Sequence, residues 1–146
     1  MGLISILFSD PVIFILIVVS LVFALCIHEF SHGYIAYLNG DDTAYRMGRL
    51  TLNPLKHLDP IGSMMILFIG FGYAKPVPVN PSNLNNPRKD MIKVAAAGPI
   101  SNFILSFLGV LILTAIHELG MLQKNYQTFF SYFIIINTYL GLFNLI

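Results

Sequence analysis

The sequence predicts an all-α polytopic membrane protein with about three transmembrane helices, a re-entrant segment, and short extended or β elements on the cytoplasmic side. Composition is the first reason. Of 146 residues, 56% are hydrophobic and only 10% charged, with a mean hydropathy of +0.76, which lies outside the range of soluble domains. Second, residues 11–27, 94–116 and 128–146 carry no charge, and each is about as long as a spanning helix needs to be. Third, the cationic residues are segregated. Arg46, Arg49, Lys56, Lys75, Arg88, Lys89 and Lys93 lie in 39–60 and 75–93, and only Lys124 lies elsewhere. Those loops therefore belong in the cytoplasm and the N-terminus outside, in a multi-pass protein of the cell membrane. A net charge of +1 gives no reason to expect nucleic acid, so the lipid bilayer is the expected surrounding. The single cysteine, Cys26, has no internal disulfide partner and reads as an apolar helix residue.

The first span continues helix-compatible from 11 to 38, about 42 Å at 1.5 Å per residue, so it is tilted or partly emergent. It does not read as a cleaved signal peptide, because no Lys or Arg precedes it and Asp10 stands where positive charge is expected. "NGDD" at 39–42 suits a helix cap and turn. Residues 46–54 allow a short strand around 50–52. The apolar stretch 61–74 is short and interrupted by Gly62, Gly70 and Gly72, so it reads as re-entrant or interfacial rather than spanning. Four prolines at 76, 78, 81 and 87 exclude helix over 74–90 and favour an extended path along the membrane face. The second and third spans follow at 94–116 and 128–146.

Chemistry concentrates in "LCIHEFSHGY", residues 25–34. Residues four apart in a helix are offset by about 40°, so His28 and His32 can direct ring nitrogens at one metal ion, with Glu29 beside them. This is the H-E-x-x-H arrangement, in which zinc acidifies a bound water and the glutamate accepts its proton. The alternative, two polar residues lining a helix interface, is opposed by the insertion cost of a charge at mid-span, about 2.5–3.5 kcal/mol. "HELG" at 117–120 lacks a second histidine at the required spacing, so His117 and Glu118 read as polar groups at a helix end. His57 and Asp59 could orient the ligands, supply one from a loop, or serve only structure or capping. In "AAAGPISNF", 95–103, the small residues allow close helix packing. Asn102 either joins two helices or donates to a substrate backbone or developing oxyanion.

Taken in order, "HEFSHG", "GRLTLNPLKHLDPIGS", "FGYAKPVPVNP" and "AAAGPISN" resemble the site-2 protease family of intramembrane zinc metalloproteases in its small prokaryotic form, over about residues 28–144. The resemblance implies a single membrane-embedded metalloprotease domain over 1–146 that hydrolyses peptide bonds in or beside transmembrane segments of membrane-protein substrates. It implies Zn2+ on His28 and His32, Glu29 as catalytic base, and Asn102 as a substrate or oxyanion contact. The family takes a third ligand from an Asp in a pattern like N-x-x-P-x-P-x-L-D-G, and Asn144 matches its first residue. The Asp is absent, so the domain is expected to be incomplete at its C-terminus, or His57 or Asp59 to substitute. A catalytically inactive homologue or fragment that binds membrane segments, or a metal-transport component, are the competing readings. Substrate identity and oligomeric state are not legible.

Overall fold

A computed structural model describes residues 2–145. Among these the chain is helical: α1 (Ile4–Ser9), α2 (Pro11–Leu38), α3 (Thr43–Arg46), α4 (Pro60–Ile69), α5 (Pro87–Glu118) and α6 (Lys124–Phe143), with 3-10 turns at Pro54–Lys56 and Pro81–Asn83.

The long helix α2 occupies the predicted range because both ends are capped. Asp10 accepts a hydrogen bond from the Ile13 amide and Pro11 stands at the first helical position. At the other end Asn39 Nδ2 donates to Ile35 O at 2.7 Å, and Gly40 turns the chain at φ 103°. The carboxylate of Asp41 then gathers the loops between α2 and α5. It is fully buried and accepts hydrogen bonds from Thr43 N and Oγ1, from Asn80 N at 2.7 Å and from Asn83 Nδ2 at 3.1 Å.

The structure corrects the expectation of β elements, because no strand occurs among the described residues. The chain bends at residues 50 and 51, where Thr51 O accepts from the His57 ring rather than from a neighbouring strand. Residues 71–80 are extended but unpaired with any strand. Pro76 and Pro78 have no amide hydrogen to give, and the Val77 and Asn80 amides donate to the side chains of Glu29 and Asp41.

Helix α5 begins seven residues before the expected 94, so the exclusion of helix from 74–90 fails at 87. Asn86 caps, Pro87 takes the first position where proline is favourable, and Asp90 accepts from the Asn86 amide at 2.7 Å. Helix α6 starts four residues before the expected 128, and Ile146 lies outside the described residues. His117 and Glu118 are exposed at the end of α5.

Helix α4 is ten residues long, about 15 Å, too short to cross a bilayer. Asp59 caps it through the Gly62 amide at 2.9 Å, and Gly70 ends it at φ 87°. The following turn folds back so closely that a Cβ on Gly62 would stand 2.0 Å from Tyr73 O, which accounts for the glycines there.

Helices α2, α5 and α6 pack against one another pairwise and form the body of the molecule. Its interior combines apolar residues such as Ile17, Ala24, Val94 and Phe133 with buried Ser20, Asn102, Ser106 and Asn137. Outward faces are apolar too, with Val12, Ile15, Val19 and Phe23 on α2 and Ile100, Ile104, Phe107 and Leu111 on α5 about half exposed. Such faces suit lipid rather than water. Two helices, α2 and α5, combine length with span-like hydropathy, 2.8 and 2.1.

Candidate metal centre

His28 and His32 stand on the face of α2 turned toward α5, as their spacing requires. His28 is buried and His32 partly so, and their Nε2 atoms are 3.0 Å apart.

Each ring is held from behind. His28 Nδ1 lies 2.5 Å from Asn102 Oδ1, and His32 Nδ1 lies 2.6 Å from the backbone oxygen of Val94. Both partners are acceptors, so each Nδ1 carries the hydrogen and donates it. In the neutral rings the two Nε2 atoms are therefore bare lone pairs that face one another. Two such nitrogens converge favourably only on an electrophile. Tetrahedral zinc with Zn–N bonds of about 2.0–2.1 Å would separate its two nitrogens by about 3.3 Å, close to what the pair provides. Donor type, tautomer and rear hydrogen bonds all fit half of a zinc site.

Helix α5 approaches this pair through Gly98. A Cβ there would stand 2.4 Å from His32 Nε2 and 2.6 Å from His28 Nε2, so any side chain would occupy the space between the imidazoles. The sequence marks Gly98 only as one of a run of small packing residues. Its position beside Pro99 in that run was the available signal.

Glu29 points to the extended segment, where Oε2 accepts the Val77 amide at 2.9 Å. Val77 is buried against Gly33, whose Cβ would lie 3.0 Å from Val77 Cγ1. Arg49 Nη2 donates to Lys75 O at 2.9 Å and Pro76 O at 3.2 Å, which fixes the segment from its other side. Val77 and Arg49 were not foreseen as part of this site; they arrive from residues far away in sequence.

The other candidates lie as follows. Asn102 is fully buried, and besides accepting from His28 its Nδ2 donates to Asn137 Oδ1 at 2.9 Å and Ala24 O at 3.3 Å. Both amide hydrogens are thus engaged within the bundle. His57 donates from Nε2 to Thr51 O at 2.6 Å, and Asp59 caps α4. Among the described residues no third His, Cys, Asp or Glu joins His28 and His32 to form a group able to hold a metal ion.

The bundle thus carries, on a span-like helix, the converging histidine pair and adjacent glutamate of the H-E-x-x-H motif. Residues 14–124 match the model of Peptidase family M50, and the chain belongs to that family, the site-2 proteases. It is similar to "Putative zinc metalloprotease YwhC" of Bacillus subtilis, 46% identical over 89% of this chain and 62% of the relative. A similarly described protein, Rip2 of Mycolicibacterium smegmatis, is 34% identical over 66% of this chain and 39% of its own length. The chain thus spans about three fifths or less of the curated relatives it matches. No solved structure gives a significant match.

Proposed function

We propose that the protein is an intramembrane zinc metallopeptidase that hydrolyses peptide bonds in or near transmembrane segments of membrane proteins. The observation that carries this reading is the pair of Nε2 atoms 3.0 Å apart, each ring tied at Nδ1 to an acceptor.

In this reading His28 and His32 hold Zn2+, which when bound acidifies water and polarises a carbonyl. Glu29 accepts the proton of the attacking water and delivers it to the departing amide nitrogen. The Val77 amide holds the Glu29 carboxylate in one orientation, and Gly98 keeps the space before the imidazoles open. Asn102 orients His28. Its contact with a substrate or oxyanion is a second role, which requires Nδ2 to leave Ala24 or Asn137. A catalytic zinc site carries three protein ligands, and His28 and His32 are the two that the described residues bring together.

For the membrane arrangement we propose that α6 is a third crossing, packed on α2 and α5, and that α4 with the following glycine turn is re-entrant. Residues 39–60 and 75–93 face the cytoplasm and the N-terminus lies outside. The positive charge of those loops supports this. His28 and His32, in the second half of α2, then lie toward the cytoplasmic water.

A metal-transport role would need free polar ligands on several spans. Instead Asn102, Ser106, Asn137 and Thr138 bond to one another or to helix carbonyls. A non-cleaving homologue is separated by experiment. Zinc content and cleavage of a transmembrane substrate are measured for the wild type and Glu29→Gln; cleavage that survives the substitution sinks the catalytic assignment.

A further inference from the structure

Asn137 of α6 is fully buried, and it lies one hydrogen bond behind Asn102. We propose that Asn137 is a positioning residue that dictates the tautomer of His28, and so the direction in which its metal-binding lone pair points. The proposal rests on the metal-site reading above only for its purpose. The tautomer itself follows from hydrogen-bond polarity.

The hydrogen-bond chain begins at a group whose polarity cannot change. The backbone oxygen of Phe133 can only accept, so Asn137 turns its Nδ2 toward it, at 2.8 Å. That leaves Asn137 Oδ1 facing α5. An oxygen there requires Asn102 to present Nδ2, at 2.9 Å, and Ala24 O, another pure acceptor at 3.3 Å, adds the same demand. With Asn102 reversed, its oxygen would confront two oxygens inside the bundle. Asn102 Oδ1 is therefore committed to His28, and His28 Nδ1 must carry the hydrogen. Nε2 is left bare, aimed at His32 Nε2. Polarity thus passes from a carbonyl of α6 through two amides to the ring on α2. Without Asn137 only the longer contact to Ala24 would hold Asn102 against reversal. Reversal would offer Nδ2 to His28 and place the ring hydrogen on Nε2, where it blocks a ligand bond.

The neighbouring pair Ser106 and Thr138 joins the same two helices at 2.7 Å without reaching either histidine. It is the natural control for loss of α5–α6 packing. A second variant guards against misfolding. In Asn137→Thr the hydroxyl can bond to Phe133 O as Thr138 Oγ1 bonds to Ile134 O at 2.8 Å, while its oxygen is drawn back from Asn102.

The test reads the His28 ring by long-range 15N–1H correlation in the zinc-free, detergent-solubilised protein at alkaline pH, and Co2+ affinity by titration. The wild type is expected to show Nδ1–H. Asn137→Leu and Asn137→Thr are expected to show a substantial Nε2–H population and about tenfold weaker Co2+ binding, with Ser106→Ala unchanged in both. If Asn137→Leu does not fold, Asn137→Thr decides. Retention of the Nδ1–H form in a folded Asn137 variant overturns the proposal, as does an equal tautomer change in Ser106→Ala. Failure of the wild type to bind metal would count against the proposed function and leave the tautomer result to stand or fall by itself.

Discussion

The carboxylate of Glu29 and the backbone amide of Val77 are joined at 2.9 Å across 48 residues of sequence. This bond fastens the proline-flanked extended segment to the motif helix one residue from His28. It also couples the proposed base to a part of the chain that has no chemistry of its own.

Glu29→Gln separates that structural bond from catalysis. The glutamine oxygen still accepts from Val77, so the loss of stability should be small, about 1 kcal/mol for exchanging a charged acceptor for a neutral one. Cleavage should fall by about 10²–10⁴, the usual contribution of a general base. Thermal unfolding and substrate cleavage measured on one preparation check both. A large loss of stability would show that the bond, rather than the proton transfer, had been removed.

Gly98→Ala should abolish or greatly weaken zinc binding while the helix survives. Alanine favours helix over glycine by about 1 kcal/mol, so helicity should hold or rise. Yet its Cβ would stand 2.4 Å from His32 Nε2 and 2.6 Å from His28 Nε2, and the imidazoles must move. Circular dichroism paired with a zinc titration reads the two effects, and unchanged affinity would contradict the close approach.

Asp41 makes stability depend on acid. Burial raises its pKa, but hydrogen bonds from Thr43, Asn80 and Asn83 outweigh burial and hold the carboxyl below its ordinary value. The unfolded chain therefore binds this proton more readily than the folded one. The contribution is complete above the unfolded pKa of about 4 and is lost as pH falls through the lower folded value. Asp41→Asn should cost about 2 kcal/mol at neutral pH and flatten the acid limb of the unfolding profile. Denaturation followed from pH 7 downward checks it; an acid limb as steep as that of the wild type would assign the dependence to another carboxylate.

Zinc removal should lower the melting temperature, since a ligand at about 100 times its dissociation constant stabilises by about 2.7 kcal/mol. His28→Ala should eliminate the difference between zinc-loaded and chelator-treated protein. His57→Ala should preserve it, because His57 is committed to Thr51 O and lies in no metal-holding group. A zinc-dependent shift that disappears in His57→Ala would restore His57 as a ligand.

Features legible in the sequence share a local origin. The limits of α2 follow from Asp10–Pro11 and Asn39–Gly40, and the common face of His28 and His32 follows from helical periodicity alone. Local reasoning failed where a residue's partner was remote. Residues 50–52 and 74–80 have the composition of extended chain, but whether they become strands depends on their remote partners: the His57 ring takes Thr51 O, and Glu29 and Asp41 take the Val77 and Asn80 amides. Pro87 looked like a helix breaker because its place at the first turn of α5 depends on where the helix starts.

By itself, then, the sequence determined a membrane-class composition, the family, and a histidine pair with an adjacent glutamate, all properties of residues within a helical turn or of the chain as a whole. Only the tertiary structure decided which way those side chains are held. Gly98, Asn102 and Val77 reach the motif directly, and Asn137 reaches it through Asn102, by the packing of α5, α6 and the extended segment on α2, through hydrogen bonds that span 35 to 78 residues. Hydrogen-bond polarity and close approach depend on distance in space, and no periodicity along the chain encodes that distance.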